Sequence, residues 1–397
     1  MKEVLIIDGV RTPVGKLGGT LKDVPPEQLA ALVMKEVLQR SGGNAQDLDE
    51  IIMGHAKQSS DQPNIARLAA LTAGFPIEIP AYTVHRQCAS GLQAVMNATM
   101  QIQSDNADLI LAGGVESMSM APYYLRNARY GFNAGNGLLL DPNTESQLRS
   151  QPQDIYGQLT MGLTAENLAE KYAISRNEQD AFALESQKRA ARAIKEGDFD
   201  GEIVPVPVRK RKETTLFTTD EHPRLTSSEE LAALKPVFKA NGTVTAGNSS
   251  GRNDGASALL VASAEKAHLL GYKPKARIIA QAAAGVDPTI MGIGPVPAVK
   301  KALQKVGLSL DEIDLIELNE AFAAQSLAVI KELGLENNMD KINVNGGAIA
   351  LGHPIGNSGA RILVTLIHAM EKRNAKYGLA TLCIGGGQGA ALIIEKL

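Results

Sequence analysis

The chain has only two cysteines in 397 residues, and each stands where an apolar run meets a turn. Cys88 sits in "VHRQCASGLQAV", between a strand-like stretch and a helix-like one. Cys383 closes the apolar run in "TLCIGGGQGA", just ahead of three glycines. A third reactive group, His353, lies among glycines in "NVNGGAIALGHPIGNSGAR". Cys88 has three competing readings: a buried small hydrophobe, a redox thiol or a nucleophile. A nucleophilic thiol needs something to take its proton, and an imidazole does this. A helix N-terminus would add partial positive charge and free N–H groups that favour a thiolate. Glycines let backbone amides approach a substrate carbonyl and form an oxyanion hole. Each residue also has a plain alternative. His353 fits a turn histidine, Cys383 the end of a buried strand, and Gly385 to Gly387 a tight turn.

Turns that carry chemistry need strands and helices to aim them. In α/β folds, ligands gather at the carboxyl ends of strands. Three features of the first third recur in order in the last third. "LDEIIMGHA" (48–56) matches "IDLIELNEAFA" (313–323), an acidic lead-in, an apolar strand and a polar turn. "CASGLQAV" (88–95) resembles "GNSGARILV" (356–364), a small-residue turn opening an apolar helix. "ADLILAGGVES" (107–117) matches "GLATLCIGGGQG" (378–389), a strand running into glycines. Three matches in register suggest duplication. Strand-like runs alternate with amphipathic helices such as "PEQLAALVMKEVLQRSG", which predicts an α/β fold. Between the halves, residues 121–246 form a loop-rich insertion of the kind that bears substrate contacts.

Composition narrows the function. Forty Lys+Arg face 43 Asp+Glu, which argues against a general nucleic-acid binder. No run approaches the roughly 18 apolar residues of a membrane span, and the N-terminus reads as a strand and turn with no signal peptide. Two cysteines make no disulfide framework, so a reducing cytoplasm is expected. Neither cysteine has zinc-ligand spacing. "GVRTPVGK" (9–16) is one residue too long for a phosphate loop, and Leu17 replaces the hydroxyl residue. "RKRK" (209–212) fits a solvated hairpin or a phosphate contact.

"CASG", "AGGVESMS", "MGLTAEN", "GTVTAGNSSGRNDGA", "NEAFA", "NVNGGAIALGHPIGNSGAR" and "CIGGGQGA" together resemble the thiolase family, from Arg11 to the C-terminus. The resemblance implies the thiolase fold, two similar βαβ-type halves packed as α/β/α/β/α layers with an inserted loop domain. The expected division is 1–120 plus 247–272, the insertion 121–246, and 273–397. It implies an acetyl-CoA C-acyltransferase that condenses two acetyl-CoA or cleaves 3-ketoacyl-CoA through a Cys acyl-thioester. Cys88 would be the nucleophile, His353 its base and Cys383 the acid/base at the α-carbon. Asn319 would hold a water that forms one oxyanion hole with His353. The N–H groups of Cys88 and Gly385 would form the other. Ser250 and Ala246 match positions that contact pantetheine. Met161 and Met291 would wall the acyl pocket, Phe238 would lie beside pantetheine or adenine, and Arg224 is nearest to the nucleotide.

Coenzyme A thioesters would be the substrates, with no bound cofactor or metal. The family forms homodimers and homotetramers, so at least a dimer is expected, with no nucleic-acid or membrane partner. Two departures stand out. Thr160 replaces a His common in biosynthetic acetoacetyl-CoA members, and Arg252 replaces an apolar residue. "PYYLRNARYGFNAGN" looks closer to the longer-chain degraders. The alternatives are a decarboxylating ketoacyl synthase, a non-catalytic acyl-CoA-binding protein and a Cys88–Cys383 redox pair. "NEAFA" argues against the synthase, which has a second His where Asn319 stands.

Overall fold

A computed structural model describes residues 1–210 and 213–397; Arg211 and Lys212 of the "RKRK" run lie outside the described residues. The first half runs β1 (Val4–Arg11), β2 (Gly15–Lys16), α1 (Pro26–Ser41), β3 (Glu50–Gly54), α2 (Ile65–Thr72), β4 (Ala81–Val84), α3 (Ser90–Gln103) and β5 (Leu109–Ser117). A long excursion follows: β6 (Tyr124–Leu125), β7 (Leu139–Leu140), α4 (Pro142–Leu148), α5 (Gln153–Tyr156), α6 (Met161–Lys171), α7 (Arg176–Glu196), the hairpin β8 (Val206–Lys210) and β9 (Glu213–Phe217), and α8 (Ser228–Ala232). The chain returns through β10 (Asn253–Ser263) and α9 (Ala264–Leu269). The second half runs β11 (Ala276–Gly285), α10 (Pro295–Val306), β12 (Leu315–Leu318), α11 (Ala323–Leu333), α12 (Ala348–Leu351), α13 (Ile355–Arg373), β13 (Tyr377–Ile384) and β14 (Gln388–Lys396).

Local chemistry sets the helix ends. Pro26 opens α1, and Gly42 closes it in the left-handed conformation at φ 66°. Ser175 and Glu178 form a reciprocal capping box on α7. Thr160, the departure noted above, caps α6 by accepting from the Leu163 N–H at 3.3 Å.

The two halves share one strand order. In the first, β4 and β5 flank β3 in parallel, and β10 and then β1 follow antiparallel. In the second, β12 and β13 are parallel, and β14 and then β11 follow antiparallel. The counterpart of β4 shrinks to a single parallel bridge between Ile316 and Ile342. A short β1–β11 pairing at Leu5–Arg277 and Ile6–Ala276 joins the halves.

Burial shows five layers. Helices α3 and α13 lie between the sheets in one apolar core that includes Leu92, Val95, Ile362, Leu366, Ile110 and Leu382. Helices α1 and α2 cover the outer face of the first sheet, and α10 and α11 that of the second. The central strands are buried on both faces, which explains their near-continuous apolar runs. The central helices meet at equivalent glycines. A Cβ on Gly91 would lie 2.8 Å from the Ala360 nitrogen, and one on Gly359 would lie 2.5 Å from the Leu92 nitrogen. Only glycine allows this approach. It brings together the N-terminal ends of the two helices that follow the Cys88 and His353 turns.

Candidate active site

Cys88 stands in the tight turn between β4 and α3, two residues ahead of the first helical residue, Ser90. Gln87 holds φ at 45°, a conformation that costs a side-chain-bearing residue and turns the chain sharply. The Ser90 hydroxyl stabilises the turn. It donates to the Gln87 carbonyl at 2.6 Å and accepts from the Arg86 N–H at 2.9 Å. The Cys88 thiol faces the backbone N–H groups of Gly385 and of Cys88 itself. That is the donor pair the resemblance implies for an oxyanion hole.

Gly385 opens the turn between β13 and β14. Gly386 and Gly387 sit at φ 88° and 86°, where a side chain would be strained. Cys383 is fully buried just ahead of that turn, with Met291 and Ala321 in one cluster and Met161 and Phe322 packed against it. Both cysteines are free. A negative charge on Cys88 would act on Cys383 and push its thiol up, so the two sulfurs lie near one another.

His353 arrives from the other side. Its backbone N–H donates to Asn253 Oδ1 at 2.9 Å. Ser358, one turn into α13, donates its single proton to the Pro354 carbonyl at 3.0 Å. It must therefore accept from His353 Nδ1 at 2.5 Å. The proton is fixed on Nδ1, and the Nε2 lone pair is left free as a base. Burial, reinforced by Arg361 and opposed by Glu116, pushes the imidazole down to about 4, so it is neutral at neutral pH.

Burial pushes the Cys88 thiol up, outweighing the two N–H groups and Lys57 that pull it down. The thiolate expected from the helix terminus is not the resting form, because burial outweighs these favourable contacts. The pair rests as thiol and neutral imidazole. Burial, and then Cys88, push Cys383 up as well, so it also rests protonated.

Asn319 is fully buried, and both its amide oxygen and nitrogen lack a protein partner. A buried amide with no partner suits a bound water. Its neighbours are fixed by backbone pairing: Ser250 N–H donates to the Ala321 carbonyl at 3.0 Å, and Ala323 N–H to the Asn248 carbonyl at 2.9 Å. The "AGNSSG" and "NEAFA" segments therefore lie side by side. Arg224 is exposed and donates to the Ala246 carbonyl at 3.0 Å, so these two meet at the surface. Phe238 packs edge-on to Phe322 at 6.1 Å, close over Gly162 and next to Met161.

Sequence reasoning missed several residues that hold the site together. Glu116 is buried at the end of β5. Its Oε2 accepts from the Gly356 N–H at 2.8 Å and the Ala56 N–H at 3.1 Å. Its Oε1 accepts from the Lys57 N–H at 3.0 Å and lies 3.1 Å from His55 Nδ1. One carboxylate thus ties the loop after β3 to the start of α13. Ser150 was also missed. It lies against Gly385 and Gly386 and accepts from Gln87 Nε2 at 3.3 Å. Neither carried a local signal: Glu116 acts on segments distant in sequence, and Ser150 lies in the loop-rich segment.

The family model described as Thiolase, N-terminal domain, matches residues 4–265, and that for Thiolase, C-terminal domain, matches residues 272–396. The chain belongs to the thiolase family. An acetyl-CoA acetyltransferase of Syntrophomonas wolfei is 52% identical over 398 residues, with all of both chains covered. The crystal structure of a Bacillus anthracis acetyl-CoA acetyltransferase superimposes with TM-score 0.97 at 49% identity, covering 100% of this chain and 99% of that one. Human mitochondrial 3-ketoacyl-CoA thiolase in complex with CoA gives TM-score 0.94 at 45% identity, covering 100% and 98%. This thiolase is an acyltransferase with the layered α/β fold expected of the family. Among the described residues, no helix is long and apolar enough to cross a membrane.

Replacing Ser358 with Ala should slow this thiolase without unfolding it. The buried Nδ1–H would lose its acceptor, at a cost of about 1–3 kcal/mol. Steady-state kinetics should show kcat reduced about 10–100-fold, with a smaller change in KM.

Proposed function

We propose that this thiolase transfers acyl groups between coenzyme A thioesters through a thioester on Cys88. The observation that carries the reading is the Cys88 thiol facing the Gly385 N–H, with Cys383 in the same site. In cleavage, His353 Nε2 takes the Cys88 proton and Sγ adds to the ketone carbon of a 3-ketoacyl-CoA. The N–H groups of Cys88 and Gly385 receive the resulting oxyanion. The bond between α-carbon and ketone carbon breaks, and its electrons form the enolate of acetyl-CoA. Asn319, through a water, and His353 stabilise that enolate. Cys383 then delivers its proton to the α-carbon and acetyl-CoA leaves; a coenzyme A thiol gives its proton to the Cys383 thiolate and takes the acyl group from Cys88, whose sulfur regains the proton held by His353. Condensation of two acetyl-CoA is the reverse sequence.

Oxyanion donors carry much of this work, each worth roughly 3–4 kcal/mol in comparable sites. Ser250, Ala246 and Phe238 would contact the pantetheine arm, Met161 and Met291 the acyl group, and Arg224 the nucleotide. Thiolysis of acetoacetyl-CoA, followed by loss of its enolate absorbance, tests the reading; a purified protein that fails to cleave it would contradict it.

The same reading divides the chain into 1–120 with 247–272, an insertion 121–246, and 273–397. The separate outer cores of the two halves support this division. A cytoplasmic setting accords with two free cysteines. A homodimer is supported by β4, an edge strand whose outer side pairs with no described strand, and which leads directly into the Cys88 turn. Exposed Tyr130, Leu138 and Leu139 in the excursion offer a second apolar surface for a dimer of dimers. Light scattering at micromolar concentration should give at least twice the monomer mass; a monomer would refute the assembly.

A further inference from the structure

His353 is aimed by two attachments, one on its ring and one on its backbone. Ser358 fixes the ring, and Asn253 holds the backbone that carries it. Asn253 opens β10 and is fully buried. Its Oδ1 accepts from the His353 N–H at 2.9 Å. Its Nδ2 donates to the Gly15 carbonyl at 2.9 Å and to His222 Nδ1 at 3.3 Å. These partners decide which way the amide faces, because a backbone N–H only donates and a carbonyl only accepts. With Oδ1 on His353, both hydrogens of Nδ2 find acceptors. Turned over, the amide nitrogen would meet the His353 N–H, donor against donor. His222 accepts only through an unprotonated Nδ1, so its own proton sits on Nε2. Burial, then Arg224 and Lys16, push this imidazole down to about 4 against Glu221 and Asp220, so the acceptor is free at neutral pH.

Gly352 shows how closely the amide is fitted. It precedes His353 at φ 98°, and a Cβ there would lie 2.5 Å from Asn253 Cγ. The residue before the base is therefore glycine both for its backbone and for the Asn253 side chain. His222 is itself carried on a strap, Asp220 to Arg224, that is fastened independently. Asp220 accepts from Arg11 Nη1 and from the Val14 N–H, each at 2.7 Å. Glu221 accepts from the Lys16 N–H at 2.7 Å and the Thr20 hydroxyl at 2.8 Å. The Arg224 N–H donates to Gln187 Oε1 at 3.0 Å. A chain of contacts thus runs from the excursion through His222 and Asn253 to the backbone of the base. We propose that Asn253 is a positioning residue for His353, and that His222 locks the Asn253 amide in the orientation that holds the base. Both act through His353 rather than on the acyl group. The inference rests on the acyl-transfer reading above.

A reacting group misplaced by about 1 Å can lose about 10²-fold in rate. Asn253→Ala should therefore lower kcat for acetoacetyl-CoA thiolysis about 10–100-fold, with KM changed less than about threefold. Mixed with acetyl-CoA, it should form the full amount of acetyl adduct on Cys88, at a rate reduced by a similar factor. His222→Phe removes the acceptor but keeps a ring, and should lower kcat about 3–10-fold. His222→Gln can offer its amide oxygen in place of Nδ1 and should retain more activity. An unchanged kcat in Asn253→Ala, or a loss confined to KM, would overturn the proposal. A normal acetylation rate with a reduced final amount would also overturn it, because the loss would then be one of folded protein. Equal kcat in His222→Phe and His222→Gln would overturn it even if Asn253→Ala failed to fold. Failure of the wild type to cleave acetoacetyl-CoA would instead sink the acyl-transfer reading.

Discussion

Cys88→Ser should lose acyl-enzyme formation and lower turnover by at least about 10⁴-fold. A thiol is intrinsically far more nucleophilic than a hydroxyl, and its proton is much easier to remove. The site already opposes ionisation at this position, since burial pushes even the thiol upward. Gly385 and backbone donors cannot make up the much larger deficit of a hydroxyl. The turn should survive the change. Its strained residue is Gln87, and its hydrogen bonds come from Ser90. Incubation with acetyl-CoA followed by intact-protein mass measurement should show an acetyl adduct on the wild type and none on Cys88→Ser.

Cys383→Ala should separate the two half-reactions. Cys88, His353 with its Ser358 partner, and the Gly385 N–H all remain, so acetylation by acetyl-CoA should persist. The α-carbon would lose its proton donor and acceptor. General acid–base groups contribute about 10²–10⁴-fold, so solvent exchange at that carbon and condensation should both fall by that much. The substitution removes one sulfur from a buried cluster walled by Met161 and Met291, two flexible side chains able to adjust. Deuterium uptake into bound acyl-CoA, read by mass spectrometry, checks the loss.

Much of the architecture was legible because it rests on repeated local patterns. "LDEIIMGHA" and "IDLIELNEAFA" became β3 and β12, the equivalent strands of the two halves. "CASGLQAV" runs from the turn into α3, and "GNSGARILV", expected to begin with a turn, lies wholly within α13, its partner central helix. The roles of the reactive turns came from the resemblance to the thiolase family, since taken alone Cys88 fits a core residue, His353 a turn histidine and Cys383 a strand end. What stayed hidden depends on contacts between distant segments. Nothing in "GGVES" says that Glu116 binds the start of α13, 240 positions away. Nothing local to "GHAKQSS" says that Lys57 is buried beside Pro142 and Ser146. The protonation states were hidden too. A helix start suggests a thiolate, whereas burial leaves Cys88 and Cys383 as thiols and His353 neutral.

The most direct test is to find which sulfur carries the acyl group. Cys383→Ala should be mixed with acetyl-CoA, quenched rapidly in acid, digested and mapped by mass spectrometry. An acetyl thioester on the peptide containing Cys88, with α-proton exchange lost, is the predicted result. Loss of acetylation with α-exchange retained would mean that the two thiols have exchanged roles.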